Sequence, residues 1–172
     1  MPWWKEEPWR MIQTNLREID MQDLSAERFV ADLKDFHATV VLLNAAGISA
    51  GYDTKLPYHS KNPYLTGDSL ERIVDLCHEN GIRVIARADF SKVKKNVYEM
   101  HPEWAFRTEH GDVMEQNGFI QTCLCGDYQQ KFAFEILEEL FGRIPFDGLY
   151  CNMGGFQTRD LSLIHISEPT RL

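Results

Sequence analysis

At 172 residues, 44% of them hydrophobic, the chain has the length and apolar content for one domain with a core of its own. A formal charge of −8 argues against general nucleic-acid binding, which needs Lys and Arg against phosphates, and against docking on anionic lipid. A neutral ligand, such as a sugar, is compatible with that balance.

The first residues, MPWWKEEPWR, carry no apolar run followed by a small-residue cleavage site, so no signal peptide is expected. No apolar stretch approaches the ~18 residues of a membrane span. Trp3, Trp4 and Trp9 precede the first regular element and are expected to form a lid or plug, because an exposed Trp cluster would be an unusual surface. Residues 10–17 (RMIQTNLR) read as a strand ending in polar residues. Ser25 caps a helix with Phe29, Val30, Leu33 and Phe36 at helical spacing. Residues 39–43 (TVVLL) form a β-branched, apolar run of the kind buried on both faces of a parallel sheet.

A long loop follows, up to Gly67. Asp68 and Glu71 then resemble a capping box for a helix with Leu70, Ile73, Val74 and Cys77 on one face, stopped by Gly81. Residues 83–88 (RVIARA) read as the third strand. A second long excursion holds HPEW at 101–104 and a hairpin around His110-Gly111-Asp112. Asp127 opens an amphipathic helix carrying Phe132, Ile136, Leu137, Leu140 and Phe141. Residues 146–151 (FDGLYC) form the fourth strand, ending at Asn152. The order is β-α-β-α-β-insertion-α-β, which implies right-handed parallel crossovers. A doubly wound sheet fits the same order. Two features favour a barrel. No Gly-rich phosphate turn follows the first strand, and the long loops leave the carboxyl ends of strands two and three, where barrel enzymes carry their function.

The last twelve residues, 161–172 (LSLIHISEPTRL), resemble one reading frame of a common transposase sequencing adapter. The alternative is a natural strand and turn. The native domain is expected to be residues 1–160, with 161–172 excluded from fold reasoning.

The segment PYLTGDSLERIVDLCHENGIRVIARADFSKV, then HPEW, then FDGLYCNMGG, resembles hypothetical glycosyl hydrolase family 6. That family is similar in layout to α-L-fucosidases and the wider α-galactosidase barrels. The resemblance implies an α/β fold, a partial (β/α)8 TIM barrel of about four βα units. It implies a carbohydrate substrate, and residues 1–160 as the N-terminal half of the barrel. The chain alone is then expected to be inactive. Complete members can carry a following trimerisation region, which makes homo-oligomers an expectation for the full-length protein.

In the fucosidase and galactosidase relatives the nucleophile is an Asp ending strand four. The matching position here holds Asn152, which cannot carry negative charge and reads either as a ligand for a sugar hydroxyl or as a turn residue. Asp89, after strand three, is the best-placed carboxylate, because strand-end carboxylates face a barrel's pocket. It reads as the catalytic candidate or as a loop anchor. Arg87 lies on the same side of that strand and is expected to pair with Asp89. Arg17 and Glu18 follow strand one, as sugar ligands or as a surface ion pair. Asn44 ends strand two as a pocket amide. His101 and Trp104 offer an imidazole donor and an indole face; Trp104 equally suits sealing its loop against the barrel. Tyr58 and His59 sit on a loop that can fold over the mouth.

Cys123-x-Cys125 is narrower than structural zinc spacing and lacks a second pair, so neither metal nor cofactor is expected. Cys77, Cys123, Cys125 and Cys151 read as free thiols of a reducing cytoplasm. Two functions remain: a glycoside hydrolase, or a non-catalytic carbohydrate-binding barrel motivated by Asn152. A metal-dependent barrel hydrolase would need histidines at strand ends, and the six here do not fall that way.

Overall fold

The structure is a computed structural model that describes residues 2–6, 8–66 and 69–153. The tail at 161–172, the Asp68 cap and Gly154-Gly155 lie outside the described residues.

A short helix, α1 (Trp3–Glu6), precedes strand β1 (Met11–Gln13), which is shorter than the 10–17 run predicts. Its polar end leaves the sheet at Thr14 and enters a 3-10 turn at Glu18–Met21. Helix α2 (Ala26–Asp35) begins where Ser25 accepts the Arg28 N–H at 3.2 Å. Strand β2 (Val40–Gly47) follows, then α3 (Ser69–Glu79) and β3 (Arg83–Asp89). The second excursion contains β4 (Lys92–Lys94), α4 (Lys95–Met100), a 3-10 turn at Pro102–Trp104, β5 (Glu115–Gln116) and β6 (Phe119–Gln121). A π-helical turn, Tyr128–Phe132, leads into α5 (Ala133–Arg143) and then β7 (Gly148–Asn152).

Strands β1, β2, β3 and β7 pair in that order, all parallel. Helices α2, α3 and α5 connect them, so the sheet consists of successive βα units. Strand β2 is buried on both faces except at Asn44, as its unbroken apolar run requires. One face, with Val41, Leu43, Val84 and Ala86, packs under the helices through Val30, Leu33, Ile73, Ile136 and Leu140. The other face carries Val40, Leu42 and Ile85, with Trp3 packed against them. The Arg83 guanidinium lies 5.7 Å from the Trp3 ring centre. Trp3 therefore covers the amino end of this inner face, while Trp4 and Trp9, expected to be covered, remain about half exposed. Trp3 stacks on Trp9 at 5.3 Å and meets Trp4 edge-on.

Asp147 ties the amino ends together. It accepts from Val84 N at 2.8 Å and Arg83 Nη1 at 3.0 Å, and bonds His78 Nε2 at 2.8 Å.

The excursion after β3 is more ordered than its sequence suggests at first sight. Strands β4, β6 and β5 form a small antiparallel sheet. The β5–β6 turn is Asn117-Gly118, with φ of 54° and 80°. Two left-handed residues in a row make the tight turn that suits hairpin twist. The turn at 108–112 also forms, with Arg107 bridged to Val113 and Gly111 at φ 86°.

Candidate functional site

The carboxyl ends of β1, β2 and β3 open into one cavity of about 240 Å3. Arg17, Glu18, Asn44, Arg87 and Asp89 all line it. Strand periodicity explains three of them. Asn44 and Arg87 are register partners on β2 and β3, and Asp89 lies two residues on from Arg87, on the same face. Below them on that face are Leu42 and Ile85, so polar side chains begin where the apolar inner face ends.

Asn44 is held at both ends. Its Nδ2 donates to Leu16 O at 2.7 Å, and its Oδ1 accepts from Arg87 Nη1 at 2.7 Å. Asp89 Oδ1 accepts from Ser91 N at 3.0 Å and from Ser91 Oγ at 2.6 Å. Asp89 Oδ2 accepts from Asn152 Nδ2 at 2.7 Å, across the β3–β7 register pair. The expected Arg87–Asp89 ion pair is not formed. A local Ser91 turn and the Asn152 amide occupy the carboxylate, and Arg87 turns sideways to Asn44.

Glu18 is paired with Lys94 of β4 at 2.6 Å. Arg17 grips Asp20 through Nη2 at 2.8 Å and Nε at 3.2 Å, and its backbone N–H also donates to Asp20. That hydrogen bond raises the Arg17 pKa and lowers that of Asp20. Both groups are open to solvent, so the pair serves mainly to shape the turn.

The loop after β2 forms one wall through Ser49, Ala50 and Asn62. It is fastened from outside by α5. Glu139 accepts from Tyr52 OH at 2.8 Å, Thr54 Oγ1 at 2.6 Å and Lys55 N at 2.6 Å, and Glu135 accepts from Tyr58 OH. Burial alone would raise the Glu139 pKa; the three donors outweigh it and hold the carboxyl below its usual range. From inside, His59 Nε2 accepts the Gly47 N–H at 3.3 Å. His59 is buried, and that burial pushes its pKa down to about 4, so the ring is neutral near pH 7.

Residues 25–153 match the family model described as hypothetical glycosyl hydrolase 6. The chain belongs to that family. No curated protein matches it in sequence. Among solved structures, this family member is similar to α-L-fucosidase isoenzyme 2 from Paenibacillus thiaminolyticus, with TM-score 0.67 and 17% identity over 88% of this chain and 24% of that one. A hypothetical protein from Ruminiclostridium thermocellum gives TM-score 0.67 and 15% identity over 92% and 83%. The α-galactosidase from Lactobacillus brevis gives 0.61 and 12% over 92% and 22%. The chain thus spans about a quarter of the length of the fucosidase and the galactosidase. Its fold is a partial TIM barrel, with four of the strands that close such a barrel at eight.

Three expected site residues of this glycosyl hydrolase 6 family chain do not line the cavity: Asn152, which reaches it only through its bond to Asp89, and Trp104 and His101. Trp104 is 1% exposed and packs with Tyr58, Tyr128 and Phe132. His101 stacks flat on it at 3.9 Å and bonds Glu103 at 3.0 Å. Pro102 starts a turn that drives the indole into the core, so Trp104 seals the loop, while His101 remains about one-third exposed outside the cavity. Conversely, Asn62 and Phe119 line the cavity and were not legible as site residues. Asn62 Nδ2 donates to Glu18 O at 3.0 Å and stitches the loop to the first strand's turn. Phe119 arrives on the small antiparallel sheet, whose Asn117-Gly118 signal stands in the sequence. Among the described residues no cluster of His, Cys, Asp or Glu has metal-binding geometry, and no helix is long and apolar enough to cross a membrane.

Proposed function

We infer that the chain contributes one side of a carbohydrate site in a glycoside hydrolase-like barrel, and that by itself it does not turn a glycoside over. The observation that carries this reading is Asp89, a strand-end carboxylate without a cationic partner, facing a cavity whose floor is amide and guanidinium and whose walls include Phe119. Amides and charged donors suit sugar hydroxyls, and an apolar wall suits a ring face. Asp89 is the proposed catalytic carboxylate; Arg17, Glu18, Asn44, Arg87 and Asn152 are proposed substrate ligands.

Retaining glycosidases use two carboxyl groups ~5 Å apart. The groups that meet Asp89 at hydrogen-bonding distance are Ser91 and the Asn152 amide, neither of them a carboxylate, and Glu18 is already engaged by Lys94. The cavity, at about 240 Å3, is also below the roughly 300–1,000 Å3 of typical ligand sites. Further barrel strands, with a second carboxylate, would complete it. Asn152 equally favours a second reading, a carbohydrate-binding barrel without catalysis.

The four free thiols support a reducing compartment, consistent with the cytoplasm. A homo-oligomeric full-length protein is compatible with this reading.

A panel of nitrophenyl glycosides, assayed for release and for binding in parallel, tests the proposal. Binding of at least one glycoside without release is expected. Release of nitrophenol by the chain alone would overturn the inactivity, and absence of binding across the panel would remove the carbohydrate site.

A further inference from the structure

The chain contains two Asn-Gly pairs, Asn80-Gly81 and Asn117-Gly118. In such a pair the asparagine amide meets the next backbone nitrogen with little hindrance, because glycine has no Cβ. All four residues are exposed, and both glycines have positive φ, 71° and 80°. Their surroundings differ. At the first pair every participating group is engaged. Asn80 Oδ1 accepts from Lys34 Nζ at 2.7 Å, Asn80 Nδ2 donates to Leu76 O at 2.8 Å, and Gly81 N–H donates to His78 O at 3.0 Å. At the second pair neither the Asn117 side chain nor the Gly118 N–H has a hydrogen-bond partner among the described residues. The pair is also the tip of a hairpin whose strand β5 is two residues long, both of them exposed, so the tip opens locally at small cost.

We propose that Asn117 is a modification site, where the folded chain deamidates in water while Asn80 is spared. Gly118 N gives up its proton to solvent and attacks Asn117 Cγ. The N–Cγ bond forms, the Cγ–Nδ2 bond breaks, and Nδ2 leaves as ammonia after taking up a proton. Water then opens the resulting cyclic imide at either carbonyl. Opening at Cγ gives aspartate; opening at the original peptide carbonyl gives isoaspartate, whose main chain runs through Cβ and is one methylene longer. Nothing is oxidised or reduced, and water is the co-reactant.

The position gives the reaction a structural consequence. Phe119 follows the pair directly, is the register partner of Gln116 and Lys94, and lines the cavity. A two-residue turn has no room for an extra methylene, so the isoaspartyl form shifts Phe119 against Lys94 and alters that wall. This inference is independent of which ligand the cavity takes.

Peptide mass mapping of the purified chain, held in mildly alkaline buffer with and without urea, tests it. In the folded chain Asn117 is expected to convert about tenfold faster than Asn80, where three hydrogen bonds must first break. In urea those bonds are gone and the two rates should converge. Gly118→Ala places a Cβ beside the attacking nitrogen, and should slow conversion at Asn117 while leaving Asn80 unchanged. Equal rates at the two sites in the folded chain would overturn the proposal, and so would an Asn117 that converts only in urea. Amide spectra of the isolated isoaspartyl form should show shifts at Phe119 and Lys94 that Asn117→Asp, which adds the charge without the methylene, does not reproduce. Matching spectra would overturn the link to the cavity.

Discussion

Gly47→Ala is expected to destabilise the protein by about 3–5 kcal/mol and to disorder the candidate site together with it. Gly47 ends β2 at φ +103°, a conformation that costs an L-residue strain. A Cβ there would sit 2.0 Å from Asp89 O and 2.4 Å from Asp89 C. Those atoms are backbone, so no rotamer change relieves the clash. Gly47 and Asp89 are register partners just past the register shift between Asn44 and Ala46. Gly118→Ala is the control. It too has positive φ, at +80°, but nothing within 4 Å of an added Cβ. It should cost only about 1 kcal/mol, the conformational part alone. Urea midpoints of the two variants decide the matter. Equal losses would mean that the Gly47–Asp89 approach has slack, and that Asp89 is not fixed by it.

Acidification is expected to destabilise the chain through His59 before the carboxylates titrate. In the unfolded chain the imidazole takes up a proton near pH 6.5; in the folded chain burial delays that to about 4. The folded state therefore binds fewer protons in this interval, and stability falls as pH falls. The contribution is complete above pH 6.5, is lost between 6.5 and about 4, and changes no further below. The size is about 3 kcal/mol. Glu139 pulls the other way, because its charge favours the imidazolium. Glu139 itself has a depressed pKa, so its contribution holds above the ordinary carboxylate range and is lost at still lower pH. Denaturant midpoints of wild type and His59→Gln across pH 4–7 separate the two. Glutamine retains an acceptor for Gly47 N–H but does not titrate, so its profile should be flat where the wild type slopes. Parallel profiles would show that His59 is not the titrating group.

The sheet was legible where burial is complete. In the run read at residues 39–43, Val40, Val41, Leu42 and Leu43 carry no polar side chain to compromise two buried faces, and β2 (Val40–Gly47) begins on them. Residues 83–88 mark β3, whose apolar positions are buried between Arg83 and Arg87, whereas β7 was read at 146–151 and is Gly148–Asn152, a strand whose central residues are exposed at the sheet's edge. Strand β1 was overestimated because only Met11–Gln13 finds a partner, in Val40–Leu42; the polar residues that follow belong to the turn built on Arg17 and Asp20. Candidate residues at strand ends could be read from periodicity alone, which is why Asn44, Arg87 and Asp89 fall on one face. Their hydrogen bonds could not. Whether Asp89 turns to Arg87 or to Asn152 depends on the β3–β7 register and on Ser91, neither of which leaves a pattern in the sequence. Contributions from loops were the least legible. Trp104 and Phe119 are both aromatic residues of one excursion, and only the packing of Pro102 and the Asn117-Gly118 turn sends the first into the core and the second to the cavity.

Carbohydrate is expected to meet this chain at the carboxyl ends of its strands. Amide chemical-shift mapping during titration with methyl glycosides tests it most directly. Shifts concentrated at residues 16–18, 44, 49–51, 87–89 and 119 are predicted, with Trp3, Arg83 and Asp147 at the amino end unmoved. Shifts confined to the amino end, or none at saturating sugar, would contradict it.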